Sequence, residues 1–244
     1  MENLLYDGGS FMVFQAGDPE NVTIRFTDAI TAFSGIKKAV IKGKGKLNAA
    51  IASMVAGYLE DKGIYSHFIE RSGEDGILCR KVEMIPLEVI VRNAIAGTMA
   101  RKLGVQEGFR PENTIFDLCY KNEDLGTPLI NDHYAVALGL VSYDELKVMY
   151  DYAGRTNDFL TSLMKGAGIE LVDFKLEFGR DGEGRIILAD ELTPDNARFR
   201  DMASRERLDR DRFRYDMGRV GEAYKIIYER LCTVLERNDA DEQR

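Results

Sequence analysis

Three charged side chains alternate with apolar ones in the stretch VDFKLEFG, residues 172–179. Successive side chains of a β-strand point to opposite faces, so Asp173, Lys175 and Glu177 share one face and the apolar residues share the other. A row of acid, base and acid on one face has two explanations. The row is either a solvated strand face or a binding site for a polar ligand.

A second strand, GRIILADEL at residues 184–192, predicts an antiparallel hairpin with this stretch. If Glu183 and Gly184 form the turn, Glu177 lies directly opposite Asp190. Two facing carboxylates repel each other by roughly 0.2–1 kcal/mol. A raised pKa with a shared proton relieves this repulsion, and so does a cation held between the two carboxylates.

Magnesium suits two such carboxylates, because Mg²⁺ prefers oxygen ligands and often binds one or two carboxylates together with substrate phosphates. The competing hypothesis is a metal-free acid–base pair. The structural alternative is a solvated acidic face in which Lys175 pairs with its neighbours. A shift of one residue in the turn would also remove the direct pairing of Glu177 with Asp190.

Two further segments carry groups that bind anions or small polar ligands. In EVIVRNAIAGTMARKLG, residues 88–104, Arg92 ends an apolar run and the turn AGT enters a helix. Such a turn presents backbone N–H groups to anions, so Arg92 and Thr98 are predicted to share a phosphate. In TPDNARFR, Asp195 and Arg198 are close enough in sequence to reach one ligand. The alternatives are a strand-to-helix junction and a turn with a local ion pair.

The basic segment KKAVIKGKGKLN, residues 37–48, does not match the GxxxxGK[ST] spacing of a Walker loop. A solvated loop is the simpler interpretation. The two histidines, His67 and His133, lie far apart in sequence with no third ligand near either. A core or surface role is therefore favoured over a metal-binding or catalytic one.

The chain has 244 residues, 30% of them charged, and a formal net charge of -8. This length suits one large domain or two closely joined lobes. The acidic balance disfavours general binding to nucleic acid or anionic membrane, and no apolar run approaches the roughly 18 residues of a membrane span. The start, MENLLYDGG, lacks signal-peptide features. No CxxC pair occurs among Cys79, Cys119 and Cys232, which favours a reducing cytoplasm over a disulfide framework or zinc site.

The elements that position these residues follow from local patterns. The first third is rich in short strands. An amphipathic helix is predicted over residues 46–63, with Gly63 at its C-terminal cap. A long helix is predicted to begin after Ser142, with Glu145 completing a capping box, and a last helix lies near residues 218–237.

Four segments occur in order along the chain: VEMIPLEVIVRNAIAGT, GIELVDFKLEFGR, ADELTPDNAR and LDRDRFR. Together they resemble the SAICAR synthetase family, the phosphoribosylaminoimidazole-succinocarboxamide synthases of purine biosynthesis. The similarity runs from LLYDG to the last helix. VDFKLEFG and IPLEVIVRN are the most specific parts, because neither is a generic nucleotide-binding loop.

The resemblance implies an ATP-grasp-like, two-lobed α+β fold. The lobes are a β-rich nucleotide-binding lobe at residues 1–86 and a larger α+β substrate and metal lobe at residues 87–244. ATP and Mg²⁺ are the implied cofactors, and a carboxylated aminoimidazole ribotide (CAIR) and L-aspartate are the implied substrates. The ribotide carboxylate is activated as an acyl phosphate, which the aspartate amine then attacks. A homo-oligomer is also expected.

The resemblance also implies roles for single residues. Glu177 and Asp190 resemble the ligands of the Mg²⁺–nucleotide complex. The implied catalytic set is Lys175, which faces a phosphate or carboxylate, with Asp173 and Asp195, which face the amino-imidazole. The implied substrate-binding residues are Arg92, Thr98, Arg198 and Arg214, the first three at the ribotide phosphate. The further nucleotide contacts are Gly8, Gly9, Ser10, Lys81, Glu83 and Lys121.

The chain departs from the family pattern mainly in its first hairpin. Gly9 and Phe11 in YDGGSF replace both lysines of the usual YEGKAK. Each lost charge-assisted contact is worth roughly 1.5–3 kcal/mol where well formed. The backbone N–H groups of residues 8–10 are predicted to cradle a phosphate instead. Ala29, Thr127 and Arg200 also replace two usual aspartates and a usual tryptophan.

These departures leave two alternatives to a SAICAR synthetase. One is a paralogue that joins a different azole carboxylate to aspartate or another amine in a nucleoside-like secondary pathway. The other is a non-catalytic nucleotide-binding protein. Retention of Lys175, Glu177 and Asp190 favours an enzyme.

Overall fold

The computed structural model describes residues 3–33, 35–122 and 124–242. Its N-terminal part is built on a five-stranded antiparallel sheet with the order β1-β2-β3-β7-β6. A separate hairpin, β4-β5, and one helix lie between β3 and β6. The bounds of this part are β1 (Leu4–Asp7), β2 (Phe11–Gln15), β3 (Asn21–Phe26), β4 (Ala29–Ala32), β5 (Lys37–Val40), α1 (Lys44–Asp61), β6 (Phe68–Ser72) and β7 (Gly76–Arg80).

The C-terminal part is built on a second antiparallel sheet with the order β10-β9-β8-β11-β12, in which β13 also pairs with β11. The bounds are β8 (Glu83–Arg92), α2 (Gly97–Leu103), β9 (Ile115–Tyr120), β10 (Leu129–Ile130), α3 (Asp132–Ala137), α4 (Tyr143–Gly166), β11 (Ile169–Arg180), β12 (Ile186–Leu188), β13 (Ala197–Asp201), α5 (Asp211–Arg214) and α6 (Val220–Glu242). Strand β11 therefore has paired neighbours along both edges.

Helix α1 forms because apolar residues recur every four positions and make one buried stripe. Ile51, Val55 and Leu59 on this stripe are at most 2% exposed. The helix packs on the N-terminal sheet and also on α6. The predicted helix is confirmed, and Gly63, in the left-handed region with φ 77°, follows its last turn as expected.

Helix α4 begins at the predicted capping box. The Ser142 hydroxyl accepts the Glu145 N–H at 3.2 Å, and the Glu145 carboxylate accepts the Ser142 N–H at 2.7 Å. The helix packs along β11 and so covers one face of the second sheet. Helix α6 continues to Glu242, beyond its predicted end near residue 237.

The chain passes from the first sheet to the second at residues 81 and 82, between β7 and β8. The predicted boundary between the two lobes, after residue 86, lies inside β8. One hydrophobic cluster joins Ile51 and Val55 of α1 to Leu231 of α6, so the two parts of the chain share a core. No helix in the described ranges combines the length and apolar character needed to cross a membrane.

The hairpin between β11 and β12 differs from the predicted one. Phe178 pairs with Leu188, and residues 182–184 form a three-residue loop, so the predicted two-residue turn is wrong. The Asp181 carboxylate closes the loop by accepting the N–H groups of Glu183 and Arg185, each at 2.9 Å. Gly184, with φ 76°, supplies the left-handed position that such a loop requires.

Candidate active site

The hairpin register places Ala189, rather than Asp190, opposite Glu177. The Ala189 N–H donates to the Glu177 carbonyl at 3.0 Å. The predicted direct pairing of Glu177 with Asp190 is therefore wrong. The chain leaves the sheet after β12, and this turn brings the Asp190 carboxylate back to the charged face of β11.

Lys175 is the centre of a buried ion-pair cluster on that face. Its ammonium contacts the carboxylate of Glu177 and lies 3.3 Å from Asp190 Oδ2 and 3.5 Å from Glu88 Oε1. Glu177 and Asp173 are each 3% exposed, which excludes the solvated strand face. The acid, base and acid of β11 thus face the interior of the protein.

A second lysine completes the cluster. Lys121 follows β9, and its ammonium donates to Oε2 of Glu177, while Lys175 donates to Oε1. Strands β9, β8 and β11 are adjacent, so residues distant in sequence meet here. Glu88, which the sequence did not single out, lies directly opposite Glu177 in the pairing of β8 with β11. Its position between Leu87 and Val89 on an alternating strand was the available signal.

Burial and crowding of like charges shift the pKa values in this cluster. Burial and the charge of Asp190 raise the pKa of Glu177 against the opposing effect of both lysines. Burial also disfavours ionised Asp190, but Lys175 and further donors outweigh it and hold the pKa of Asp190 below its ordinary value. The pKa of Lys175 is raised well above its ordinary value, because the surrounding carboxylates outweigh its burial. The cluster therefore holds charged lysines among closely spaced acids.

Glu191 is a second residue that sequence reasoning missed. Burial and the adjacent Asp190 raise the pKa of its carboxyl well above the ordinary range. Its backbone N–H donates to Asp190 Oδ1 at 2.9 Å. Two consecutive acids after an apolar strand were the signal that pointed to it.

A cavity of about 370 Å³ lies between the two sheets, beside this cluster. Its N-terminal wall is mainly apolar and includes Tyr6, Phe11, Val13 and Ile24. Its other wall includes Lys81, Lys121, Glu177, Asp190 and Glu191. Four predicted nucleotide contacts, Lys81, Lys121, Glu177 and Asp190, are thereby brought together. The fifth in this part of the chain, Glu83, is exposed and faces Arg180 with 3.8 Å between Oε1 and Nη1.

The glycine loop between β1 and β2 has its own hydrogen bonds. The N–H groups of Gly8, Gly9 and Ser10 donate to Phe11 O, Asp7 Oδ1 and Gly8 O at 2.9–3.0 Å. None of residues 8–10 lines the cavity, although Phe11 does. In this conformation the three predicted phosphate donors are occupied by the turn itself.

A second cavity, of about 280 Å³, lies on the other side of Lys175. The predicted phosphate residues Arg92, Thr98 and Arg198 line it, together with Asp173. The Asp173 carboxylate accepts from Arg92 Nη1 at 3.0 Å and from Arg198 Nη1 at 2.9 Å. Asp173 thus fixes both guanidinium groups at one wall of the cavity.

Two more residues of this cavity escaped sequence reasoning. Asp117 of β9 accepts from Arg92 Nε at 2.6 Å, and Lys102 of α2 adds a positive charge beside Thr98. The Thr98 hydroxyl accepts from Arg101 Nη2 at 3.2 Å. Neither Asp117 nor Lys102 belongs to a recognisable motif, so only the strand order and the position of α2 reveal them.

Asp195 is tied to two helices. Its carboxylate accepts from Lys44 Nζ at 2.6 Å, Asn48 Nδ2 at 2.7 Å and the Tyr224 hydroxyl at 2.7 Å. Lys44 is 0% exposed, so the interpretation of residues 37–48 as a solvated loop is wrong for this lysine. Asp195 joins α1 and α6 to the loop after β12.

His67 and the three cysteines do not form a metal site. Burial lowers the pKa of His67 to about 4, so the imidazole is neutral at neutral pH. Within residues 3–33, 35–122 and 124–242, no group of three or more histidine, cysteine, aspartate or glutamate side chains is arranged to hold a metal ion. Cys79, Cys119 and Cys232 are free thiols.

Comparison of the sequence with known families gives one match over most of its length. The profile of the SAICAR synthetase family covers residues 4–231. The curated phosphoribosylaminoimidazole-succinocarboxamide synthase of Clostridium novyi (strain NT) is 50% identical over 94% of this chain and 97% of its own. The protein of the same name from Fusobacterium nucleatum subsp. nucleatum is 46% identical over 93% of this chain and 96% of its own.

Solved structures of the same family share the architecture. The phosphoribosylaminoimidazole-succinocarboxamide synthase of Ehrlichia chaffeensis superposes with a TM-score of 0.92 at 35% identity, covering 94% of this chain and 98% of its own. A SAICAR synthetase in complex with ADP superposes with a TM-score of 0.90 at 43% identity, covering 94% of this chain and 97% of its own.

Proposed function

The chain belongs to the SAICAR synthetase family, and from this premise we propose how its cavities divide the reaction. It is an ATP-dependent ligase of purine biosynthesis that joins the CAIR carboxylate to the amine of L-aspartate, giving SAICAR, ADP and phosphate. The predicted resemblance and the two-lobed α+β fold are confirmed. Identity of 46–50% with curated relatives does not favour the alternatives of a paralogue or a silent binding protein.

We assign ATP to the cavity between the sheets. The ADP complex of a structural relative supports nucleotide use by this fold. The apolar wall around Phe11 suits a purine base, and Lys81 and Lys121 suit phosphates. Glu83 stays a predicted contact. The N–H groups of Gly8, Gly9 and Ser10 can bind a phosphate only if they first break their present hydrogen bonds within the turn.

We assign Mg²⁺ to Glu177 and Asp190, and the two residues fit this ion. Both carboxylates line the ATP cavity, both are buried, and both supply the oxygen donors that Mg²⁺ prefers. Two protein carboxylates with substrate phosphates form a common magnesium site. The bound ion would supply positive charge against the triphosphate.

The position of Lys175 is the observation that carries the proposal. Its ammonium contacts the acids of the ATP cavity, and the same side chain lines the second cavity. A carboxylate in the second cavity and the terminal phosphate in the first would meet beside this cation. Lys175 would then stabilise the negative charge that moves between them.

The reaction has two balanced steps. A carboxylate oxygen of CAIR attacks the γ-phosphorus of ATP, and the bond to ADP breaks, leaving an acyl phosphate. The aspartate amine then attacks the carbonyl carbon, loses a proton and expels phosphate. A carboxylate is a poor electrophile until it carries such a leaving group, which explains the use of ATP.

We assign the ribotide to the second cavity. Arg92, Arg198 and Thr98 would bind its phosphate, and the hydrogen bonds of Asp173 to the two arginines support this assignment. Asp195 stays a predicted contact of the amino-imidazole. To bind it, the Asp195 carboxylate must give up one of its present hydrogen bonds from Lys44, Asn48 or Tyr224. Arg214 lies in a smaller cavity next to this one.

The proposal also covers the cellular compartment, the oligomeric state and the roles of the two lobes. The chain works in the cytoplasm, which its free cysteines support. It assembles as a homo-oligomer, which sedimentation analysis tests directly. Its N-terminal lobe binds the nucleotide and its C-terminal lobe binds the other substrates. The passage of the chain from the first sheet to the second at residues 81 and 82 supports this division.

The decisive experiment incubates the purified chain with ATP, Mg²⁺, CAIR and L-aspartate and follows ADP and SAICAR together. Equal amounts of both products are expected. Turnover with another heterocyclic carboxylate but not with CAIR would select the paralogue. Binding of CAIR without turnover on any amine would select the non-catalytic protein.

A further inference from the structure

Lys44 is a buried lysine to which the proposed reaction gives no role. Its side chain is 0% exposed, and its ammonium donates to Oδ2 of Asp195 at 2.6 Å. In the described part of the chain, no other carboxylate lies within 4.0 Å of this ammonium. A buried charge is costly unless it is paired, so loss of either residue would leave the other as an uncompensated charge.

The start of α1 fixes the backbone that carries this lysine. Lys44 is the first residue of the helix, and the Asp28 carboxylate accepts the N–H groups of Gly43 and Gly45, each at 3.0 Å. The bond to Gly45 satisfies one of the donors that a helix start leaves free. A Cβ on Gly45 would lie 2.6 Å from the Phe26 carbonyl oxygen, so the helix start packs directly against the end of β3. The backbone of Lys44 is therefore held in the N-terminal part, while its ammonium reaches a loop of the C-terminal part.

Only one of the three donors to Asp195 carries a charge. The Asn48 amide and the Tyr224 hydroxyl are neutral, and Lys44 supplies the positive charge. Burial raises the pKa of the Asp195 carboxyl, but the charges of Lys44 and Arg210, with the hydrogen bonds from Lys44 and Tyr224, hold that pKa below its ordinary value. A substrate group can therefore replace a neutral donor while Lys44 keeps the carboxylate charged.

The position of Asp195 gives this charge a use in the reaction. Asp195 lines the smaller cavity that contains Arg214, and this cavity shares Asp173, Asn196 and Arg198 with the second cavity. An ionised carboxylate only accepts hydrogen bonds, which suits the N–H groups of an amino-imidazole. A protonated carboxyl would present a donor to them instead.

We propose that Lys44 is a positioning residue of the ligase, which holds Asp195 as the anion that accepts the amino group of the azole substrate. The inference rests on the proposed function and adds to it a residue of the N-terminal part that acts through Asp195. Because Lys44 lies in α1 and Asp195 in the loop after β12, the ion pair also joins the two parts of the chain beside the substrate cavities.

Other ionisable groups face Asp195 and enter its pH dependence. They are Lys44 from α1, Tyr224 from α6, Asp173 from β11, Arg198 from β13, and Asp209, Arg210, Asp211 and Arg214 from the segment that includes α5. Burial raises the pKa of Asp209 to about 7, so this carboxyl titrates near neutral pH as well. A test must therefore compare variants that differ at Lys44 and must identify the Asp195 carboxyl itself.

The test replaces Lys44 by Met, which keeps an unbranched apolar stem and removes the charge. At pH 7 the kcat/KM for CAIR should fall about ten- to hundredfold, the size expected for one weakened hydrogen bond to a charged group, with the KM for ATP within about threefold. The acidic limb of the pH profile should move up by about one pH unit or more, because burial of Asp195 is no longer opposed by Lys44. Part of the lost activity should return at pH 9, where Asp195 ionises again.

Three further variants separate charge from packing. Lys44→Arg keeps the charge and should keep the wild-type acidic limb. Tyr224→Phe removes a neutral donor and should move the limb less than Lys44→Met does. Lys46→Met, at an exposed ion pair with Glu74 in the same helix, is the matched control and should leave the profile unchanged. If Lys44→Met does not fold, Lys44→Gln takes its place, because its amide can still donate to Asp195 without a charge.

A direct titration keeps the inference separate from turnover. Carbon-13 NMR of the aspartate carboxyls in the whole chain, with the Asp195 signal assigned by its loss in Asp195→Asn, distinguishes Asp195 from Asp209. The midpoint of the Asp195 signal should be higher in Lys44→Met by about one pH unit or more. If the wild type makes no SAICAR but this shift is observed, the proposed function fails and the control of Asp195 by Lys44 stands.

Two results would overturn the inference. One is a folded Lys44→Met that is less stable but keeps the wild-type pH profile and the wild-type Asp195 midpoint, which would make Lys44 a purely structural residue. The other is a rise in the KM for ATP with an unchanged kcat/KM for CAIR, which would place the effect of Lys44 on the nucleotide side.

Discussion

The two walls of the cavity that we assign to ATP differ in chemistry. The N-terminal wall presents apolar side chains such as Tyr6 and Phe11. The wall from the second sheet presents Lys121, Glu177 and Asp190. Of the two departures from the family pattern in the first hairpin, Phe11 lies on the apolar wall and Gly9 lies outside the cavity, whereas the charged cluster of the other wall is retained.

Part of the first wall, including Tyr6, lies on an edge strand, whereas Phe11 and Ile24 lie on interior strands of the same sheet. Strand β1 is an edge strand whose residues are all exposed. Strand β11 lies inside the second sheet, with β8 along one edge and β12 and β13 along the other. A central strand fixes the geometry of its side chains, whereas an edge hairpin has fewer constraints. We therefore expect binding energy from the first wall and chemistry from the second.

The largest expected effect is on the charged wall. Glu177→Gln should lower kcat about a thousandfold, because it removes one charge from the centre of the cluster without changing its volume. Product formation at saturating ATP and Mg²⁺ measures the effect, and circular dichroism should show a folded chain. Glu183→Gln, in the exposed hairpin loop, is the control. Near-normal activity of Glu177→Gln would contradict the proposed role of Glu177 in binding Mg²⁺ and the contrast between the two walls.

The next effect concerns His67, which also lines this cavity and is buried. Its folded pKa of about 4 lies below the ordinary value near 6.5, so the unfolded chain binds more protons between these pH values. Stability is therefore retained above about pH 6.5 and lost as the pH falls towards 4. The loss attributable to His67 between about pH 7 and pH 5 should be roughly 2 kcal/mol.

Urea denaturation of the wild type and His67→Gln at the two pH values isolates this contribution. The variant should lack that part of the pH dependence, because its side chain does not titrate. Equal slopes for both proteins would show that His67 is protonated without cost in the folded chain.

The apolar wall should act on binding alone. Phe11→Ala should raise the KM for ATP about tenfold and leave kcat within twofold, because it removes buried apolar contact made equally in the ground and transition states. Phe14→Ala on the same strand is the control, since Phe14 does not line the cavity. A large fall in kcat for Phe11→Ala would mean that the first wall also takes part in the chemistry.

The smallest effect concerns the glycine loop. Gly9 has φ 75°, and a Cβ there would meet no atom within 4 Å, so Gly9→Ala adds backbone strain but no clash. Its free energy of unfolding should fall by about 1 kcal/mol, with the KM for ATP within twofold of wild type. Gly17→Ala, which also meets open space and has no positive φ, should leave stability nearly unchanged. A large rise in the KM for ATP in Gly9→Ala would show that this loop binds the phosphates of ATP.

Several features of the fold were predictable because their causes are local. The Ser142 capping box and the Gly63 cap depend on residues within one helical turn. The shared face of Asp173, Lys175 and Glu177 follows from the alternation of a single strand. The hairpin register was not predictable to one residue, because the Asp181 side chain stabilises a longer loop than the glycines alone indicate.

The sequence by itself determined which residue types occupy the charged face of β11 and which helices and strands carry the site. Only the tertiary structure decided which charges meet. Glu177 meets Lys121 across 56 residues of chain, and Lys175 meets Glu88 across 87. Lys44 is buried against Asp195 across 151 residues. Alternation and capping act within a few residues, whereas such ion pairs depend on strand order, register and helix packing over the whole chain.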